Sequence, residues 1–117
     1  MKYLTIDIGG TFTKYAVMDE TLKIYEKSKV PTAKESVDAY LDMLVELYEK
    51  SRGQVAGVAI SAPGMIDSEK GFMRTGGSIY CIENLEVIKL LEERIDVPVT
   101  IENDAKCAAL AEMTWGS

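Results

Sequence analysis

Residues 3–30 read YLTIDIGGTFTKYAVMDETLKIYEKSKV, and three β-prone runs stand out in them. Residues 3–8 (YLTIDI) are rich in β-branched and aromatic side chains, and Gly9-Gly10-Thr11 follows as a turn. Residues 13–18 (TKYAVM) read as a second strand, closed by Asp19-Glu20-Thr21. Residues 22–30 (LKIYEKSKV) form a third strand, more polar than the others and so suited to a sheet edge. Joins this short leave no room for a crossover, so an antiparallel meander is expected.

Beyond Pro31 the period changes. Val37, Tyr40, Leu41, Leu44, Leu47 and Tyr48 recur at three- and four-residue steps. This predicts a helix over about residues 35–50, opened by Ser36 or Thr32, with Gly53 just past its end. Residues 55–62 (VAGVAISA) form a continuous apolar run, as in a strand covered on both faces, and Pro63-Gly64 breaks it. Residues 65–84 are less regular, with short strands expected near 65–67 and 71–74. Asn84 reads as the N-cap of a helix over about residues 85–95. Residues 97–101 (VPVTI) give a last strand, and Asn103-Asp104 precedes an alanine-rich helix reaching about Trp115. The order β-β-β-α-β-α-β-α predicts an α/β fold with a mixed five-stranded sheet, its fourth and fifth strands parallel to the first.

Composition bounds the function. The chain has 117 residues, 47% hydrophobic and 27% charged, which is globular composition for one domain. No apolar run approaches the ~20 residues of a membrane span, and Asp7 interrupts any signal-peptide core, so a cytoplasmic protein is expected. Lysine and arginine total 13 against 19 acidic residues, a formal charge of -6, which disfavours non-specific nucleic-acid binding. Cys81 and Cys107 are too few for a disulfide scaffold. There is no histidine, which excludes Ser-His-Asp and Cys-His nucleophiles and histidine-ligated zinc.

Four segments carry candidate chemistry. Gly9 and Gly10 let backbone amides approach a polyanion, through positive φ and the lack of a Cβ. Thr11 and Thr13 add hydroxyls, Lys14 adds charge, and Asp7 suits Mg²⁺ held through water beside phosphates. The same residues equally suit a plain glycine hairpin; they make neither a Walker loop nor a dinucleotide fingerprint. At the other end of the chain, Asn103-Asp104 stands where a strand hands over to a helix. A carboxylate there is favoured as the anion and suits a base accepting a hydroxyl proton during phosphoryl transfer, while Asn103 suits a polyol. An ordinary helix cap explains the same pair. Gly64, and the Gly76-Gly77-Ser78 turn, read as loops that a ligand can approach closely.

Together these segments resemble the amino-terminal lobe of the ROK family (repressors, open reading frames and kinases), within the sugar kinase, Hsp70 and actin superfamily. Asp7-Ile8-Gly9-Gly10-Thr11 is similar to its first phosphate motif. Ala62-Pro63-Gly64-Met65-Ile66-Asp67 with Gly71 is similar to its APGxVD…G segment. The run from Val97 through Glu102-Asn103-Asp104-Ala105 to Ala111-Glu112 and Trp115-Gly116 is similar to its PVxxENDAxxAAxAExxxG signature. The resemblance implies a ribonuclease H-like (actin-like ATPase) fold and an ATP-dependent, Mg²⁺-requiring kinase acting on a sugar hydroxyl, usually at the 6-position.

By the same resemblance Asp104 is the general base and Asn103 holds sugar hydroxyls, with Gly64, Gly76 and Gly77 bordering the sugar. Asp7, Gly9, Gly10, Thr11 and Thr13 face Mg-ATP. Thr75-Gly76-Gly77-Ser78 replaces the Asn-Leu pattern of many glucokinases of the family and looks more like the β-glucoside kinase branch. The resemblance covers residues 1–117 as one lobe and implies a second lobe outside this chain. That lobe would carry the zinc motif, the adenosine pocket and most of a homodimer interface, so the chain alone is expected to be inactive. A sugar-responsive regulator of the same family is the alternative, disfavoured because the first strand begins near residue 3 with no helix-turn-helix before it. An actin-like or chaperone-type ATPase, hydrolysing nucleotide without sugar stimulation, is a third reading.

Overall fold

The structure is a computed structural model that describes residues 1–103. The expected meander is present: β1 (Lys2–Ile8), β2 (Phe12–Asp19) and β3 (Ile24–Pro31) pair antiparallel in sequence order. Strand β4 (Val58–Ala62) lies beside β1 and β8 (Val99–Asn103) beside β4, both parallel to β1, giving one mixed five-stranded sheet of order β3-β2-β1-β4-β8. Strand β3 forms one edge of the described sheet, and its side chains are almost all exposed.

Helix α1 (Val37–Glu49) starts at Ser36, whose hydroxyl accepts from the Ala39 amide at 3.1 Å. Of the two expected starters Ser36 is therefore the cap, and Thr32 has another task, described below. The apolar face of α1 packs Tyr40, Leu44, Leu47 and Tyr48 against Leu4, Ile6 and Ile8 of β1 in a single core. That core also takes Val58 and Ile60 of β4, and Val99 and Ile101 of β8. Each fully buried aliphatic side chain adds roughly 1.5–3 kcal/mol. Burial pushes the Tyr40 phenol above its ordinary value, and its hydroxyl meets the Met73 sulfur at 3.8 Å.

Between β4 and β8 the chain departs from the expected pattern. A second sheet of three short strands, β5 (Ile66–Asp67), β6 (Phe72–Thr75) and β7 (Glu83–Leu85), occupies the irregular stretch. Strands β5 and β6 fall where expected, and β7 is an addition. Asn84 lies in β7 with φ +48° and is not a helix cap. Helix α2 (Val87–Glu92) is shorter than the expected span and has no side-chain cap. Pairing with β6 ties Glu83 and Leu85 into the small sheet, so the helix begins only where Val87 and Leu91 reach the core. The last expected helix, from residue 104 onward, lies outside the described residues.

Candidate functional site

The parallel register brings the ends of β1, β4 and β8 to one edge of the sheet. Asp7, Ser61 and Glu102 stand in one row across these strands, and Lys14 and Lys29 extend it through β2 and β3. Because side chains alternate along a strand, the whole row points away from the helix-packed core. It borders a groove of about 710 Å3 that Thr5, Ala59 and Thr100 also line. Asp7 is exposed, and one carboxylate oxygen accepts from the Ser61 hydroxyl at 3.0 Å. Asp7 is an exposed carboxylate of the kind that Mg²⁺ accepts when substrate phosphates and water complete its shell. Among the described residues no group of three or more His, Cys, Asp or Glu side chains could hold a metal without such help.

Just beyond Ile8 the chain turns at Gly9 and Gly10, where the Gly9 amide donates to Phe12 O at 3.0 Å. Neither glycine has a positive φ, which corrects that part of the sequence argument. Lack of space is the reason for glycine here. A Cβ on Gly10 would lie 2.8 Å from the Ser78 hydroxyl oxygen, so the first hairpin turn touches the Gly76-Gly77-Ser78 loop directly. Thr11 is exposed at the turn. Thr13 is not: it is fully buried and its hydroxyl sits 2.9 Å from that of Thr32. Its place on the inward face of β2, opposite Ile8, takes it away from any ligand outside the turn.

The 76–78 loop in turn meets the end of β4. Gly64 has φ +106°, and a Cβ there would lie 2.2 Å from Thr75 O and 2.8 Å from Gly77 N. No other residue fits this crossing of two backbones. The Met65 amide donates to the Thr75 hydroxyl at 3.1 Å, which fixes the same contact. Gly76 is buried under the loop and accepts from the Ile79 amide, whereas Gly77 is exposed beside Pro63. From β8, the Asn103 side-chain amide donates to Gly64 O at 2.7 Å. Gly10, Ser78, Gly77, Gly64 and Asn103 thus form one unbroken line of contacts from the end of β1 to the end of β8. Asp104, the expected base, follows Asn103 directly and lies outside the described residues.

Three residues near the turn escape a reading of sequence alone. Ser61 holds Asp7, Lys34 reaches Gly10 O at 2.7 Å, and Thr32 bonds to Gly9 O. No motif marks them. Only the pairing of Phe12 with Pro31 and of Asp7 with Ser61 puts them there.

A glycine hairpin opening a mixed sheet whose strand ends converge defines a fold of the ribonuclease H-like, actin-like ATPase class. The sequence pattern of the ROK family matches residues 3–117, and the chain belongs to that family. It is 35% identical over 116 residues to a β-glucoside kinase of Klebsiella pneumoniae, covering 99% of this chain and 39% of that one. It is 37% identical over 109 residues to an N-acetyl-D-glucosamine kinase of Mannheimia succiniciproducens, covering 91% of this chain and 36% of that one. The crystal structure of a ROK glucokinase from Streptomyces griseus, in complex with glucose and AMPPNP, superposes with a TM-score of 0.87 at 28% identity. The match covers 100% of this chain and 38% of that one. The chain spans about two-fifths of the length of the curated relatives it matches. Among the described residues no helix is long and apolar enough to cross a membrane.

Proposed function

We propose that the chain is the amino-terminal lobe of an ATP-dependent sugar kinase, which passes the γ-phosphoryl group of ATP to a sugar hydroxyl. The observation that carries this reading is the line of contacts linking the Gly9-Gly10 turn to Asn103, because phosphoryl transfer needs donor and acceptor within bonding reach. The kinase names of relatives at 35% and 37% identity support it.

In this reading the amides of the Gly9-Gly10-Thr11 turn receive the ATP phosphates, and Asp7, oriented by Ser61, holds Mg²⁺ through water. The ion, when bound, neutralises phosphate charge. Asn103 and the backbones at Gly64, Gly76 and Gly77 orient the sugar. As the sugar oxygen bonds to phosphorus, its proton passes to the Asp104 carboxylate and the bridging bond to ADP breaks. The acceptor is the 6-hydroxyl of glucose, an N-acetylhexosamine or a β-glucoside, and ATP as co-substrate implies a cytoplasmic location. Thr13 is left out of the phosphate-facing set because it is buried.

The test uses the complete protein. Coupled ADP release is measured against hexoses, N-acetylhexosamines and β-disaccharides, with Asp104→Asn beside the parent. The variant is expected to lose at least ~10²–10⁴-fold in turnover while sugar affinity, measured by calorimetry, stays within about threefold. Near-normal turnover in the variant refutes the role of Asp104, and no sugar-dependent ADP release from the parent refutes the kinase.

A further inference from the structure

The three carbonyls of the Gly9-Gly10-Thr11 turn are all taken by one short segment just past β3. The Thr32 hydroxyl donates to Gly9 O at 2.8 Å, Lys34 Nζ to Gly10 O at 2.7 Å, and the Thr32 amide to Thr11 O at 2.9 Å. Behind them, Thr13 Oγ1 lies 2.9 Å from Thr32 Oγ1. A hydroxyl has one proton, and that of Thr32 is used on Gly9 O, so Thr13 is the donor between the two. The result is a directional relay from Thr13 to Thr32 to the Gly9 carbonyl. It is buried: Thr13 is 0% and Thr32 6% exposed.

This relay has no evident value to the core as such. Valine has nearly the shape of threonine and carries no hydroxyl to satisfy, so two buried threonines are an unfavourable way to fill space. What they do is fix the rotation of one peptide unit. The amides of Gly10 and Thr11 have no hydrogen-bond partner among the described residues. A turn whose carbonyls are all drawn to one segment, with two successive amides uncommitted, is a preset cradle for an anion.

We infer that Thr32, backed by Thr13, is a positioning residue for the nucleotide: it locks the Gly9 carbonyl and with it the Gly10 amide of the same peptide unit, while Lys34 on Gly10 O holds the Thr11 amide, so that phosphate oxygens meet a preset turn before ATP arrives. The inference rests on the kinase reading of this turn and adds to it residues that never touch the ligand. Preorganisation of this kind acts on nucleotide binding and leaves the sugar side alone.

The experiment compares Thr32→Val and Thr32→Ser with the parent in the complete protein. It reads AMPPNP affinity by calorimetry without sugar, KM for ATP, KM for sugar, and thermal unfolding. Thr32→Val is expected to weaken AMPPNP binding and raise KM for ATP about 10-fold, with KM for sugar within about twofold, and Thr32→Ser to restore nearly parental values. Unchanged AMPPNP affinity in a folded Thr32→Val protein, equal losses for both substrates, or no rescue by serine would each overturn the inference. If Thr32→Val does not fold, Thr13→Val reads the relay one step back. A loss of about threefold confined to nucleotide supports the inference, and no loss overturns it. If the parent itself fails to bind AMPPNP, the kinase reading falls and takes this inference with it, a result distinct from all the others.

Discussion

At the scale of single residues, the site consists largely of places where backbone approaches backbone. Gly64 is the sharpest case, with φ +106° and Thr75 O where a Cβ would sit. Gly64→Ala is therefore expected to destabilise the lobe by about 2–4 kcal/mol, from combined backbone strain and overpacking. Urea denaturation checks this, and a variant as stable as the parent would mean that the crossing of the two turns is looser than described. The residue scale is also where sequence reasoning was least complete. Asp7, Gly9, Gly10, Thr11, Gly64 and Asn103 stand out in the sequence because glycine and short polar side chains mark special backbone. Thr32, Lys34 and Ser61 do not, because nothing local distinguishes a threonine that bonds to a turn 23 residues away. Thr13 shows the converse error: its position beside the glycines suggested a ligand contact, yet strand alternation turns it inward.

Elements were legible wherever a single period governed a long enough segment. The 3.6-residue repeat of α1 and the apolar run of β4 appear near their expected places, and the cap at Ser36 follows from simple chemistry. Ser36→Ala should cost about 1 kcal/mol, seen as a lower urea midpoint with an unchanged slope; no change would show that the Ala39 amide finds water as readily. The β2–β3 turn is a second local unit. The Asp19 carboxylate accepts from the Thr21 and Tyr25 hydroxyls, which hold it well below the usual carboxylate range, while the same bond raises the Tyr25 phenol. The 65–92 stretch was legible only in part. Its short strands are held by pairing partners and by the core, so Asn84, a plausible cap by type, is carried into β7 instead.

At the scale of the molecule, contacts between distant parts of the chain assemble the candidate site. The described residues bring the turn, the loop and the end of β8 into one line, while the chain covers about two-fifths of its curated relatives. If the remaining positioning comes from outside these 117 residues, the chain by itself should release no ADP with any sugar that the complete protein phosphorylates. Lost positioning alone is worth ~7–11 kcal/mol of barrier. Parallel coupled assays of the two proteins check this, and comparable turnover by the short chain would show that the lobe holds a complete site. The meander, the helix on its face, the parallel placement of β4 and β8 and the ROK resemblance are readable from the amino-acid sequence. Those rest on periodicity, on turn residues and on motifs, all of which are local. Which groups meet, such as Asn103 with Gly64, Ser78 with Gly10 and Thr32 with Gly9, emerges only in the folded chain. Such contacts depend on strand register and on the rotation of individual peptide units, which are set by packing across the sheet and leave no local mark in the chain.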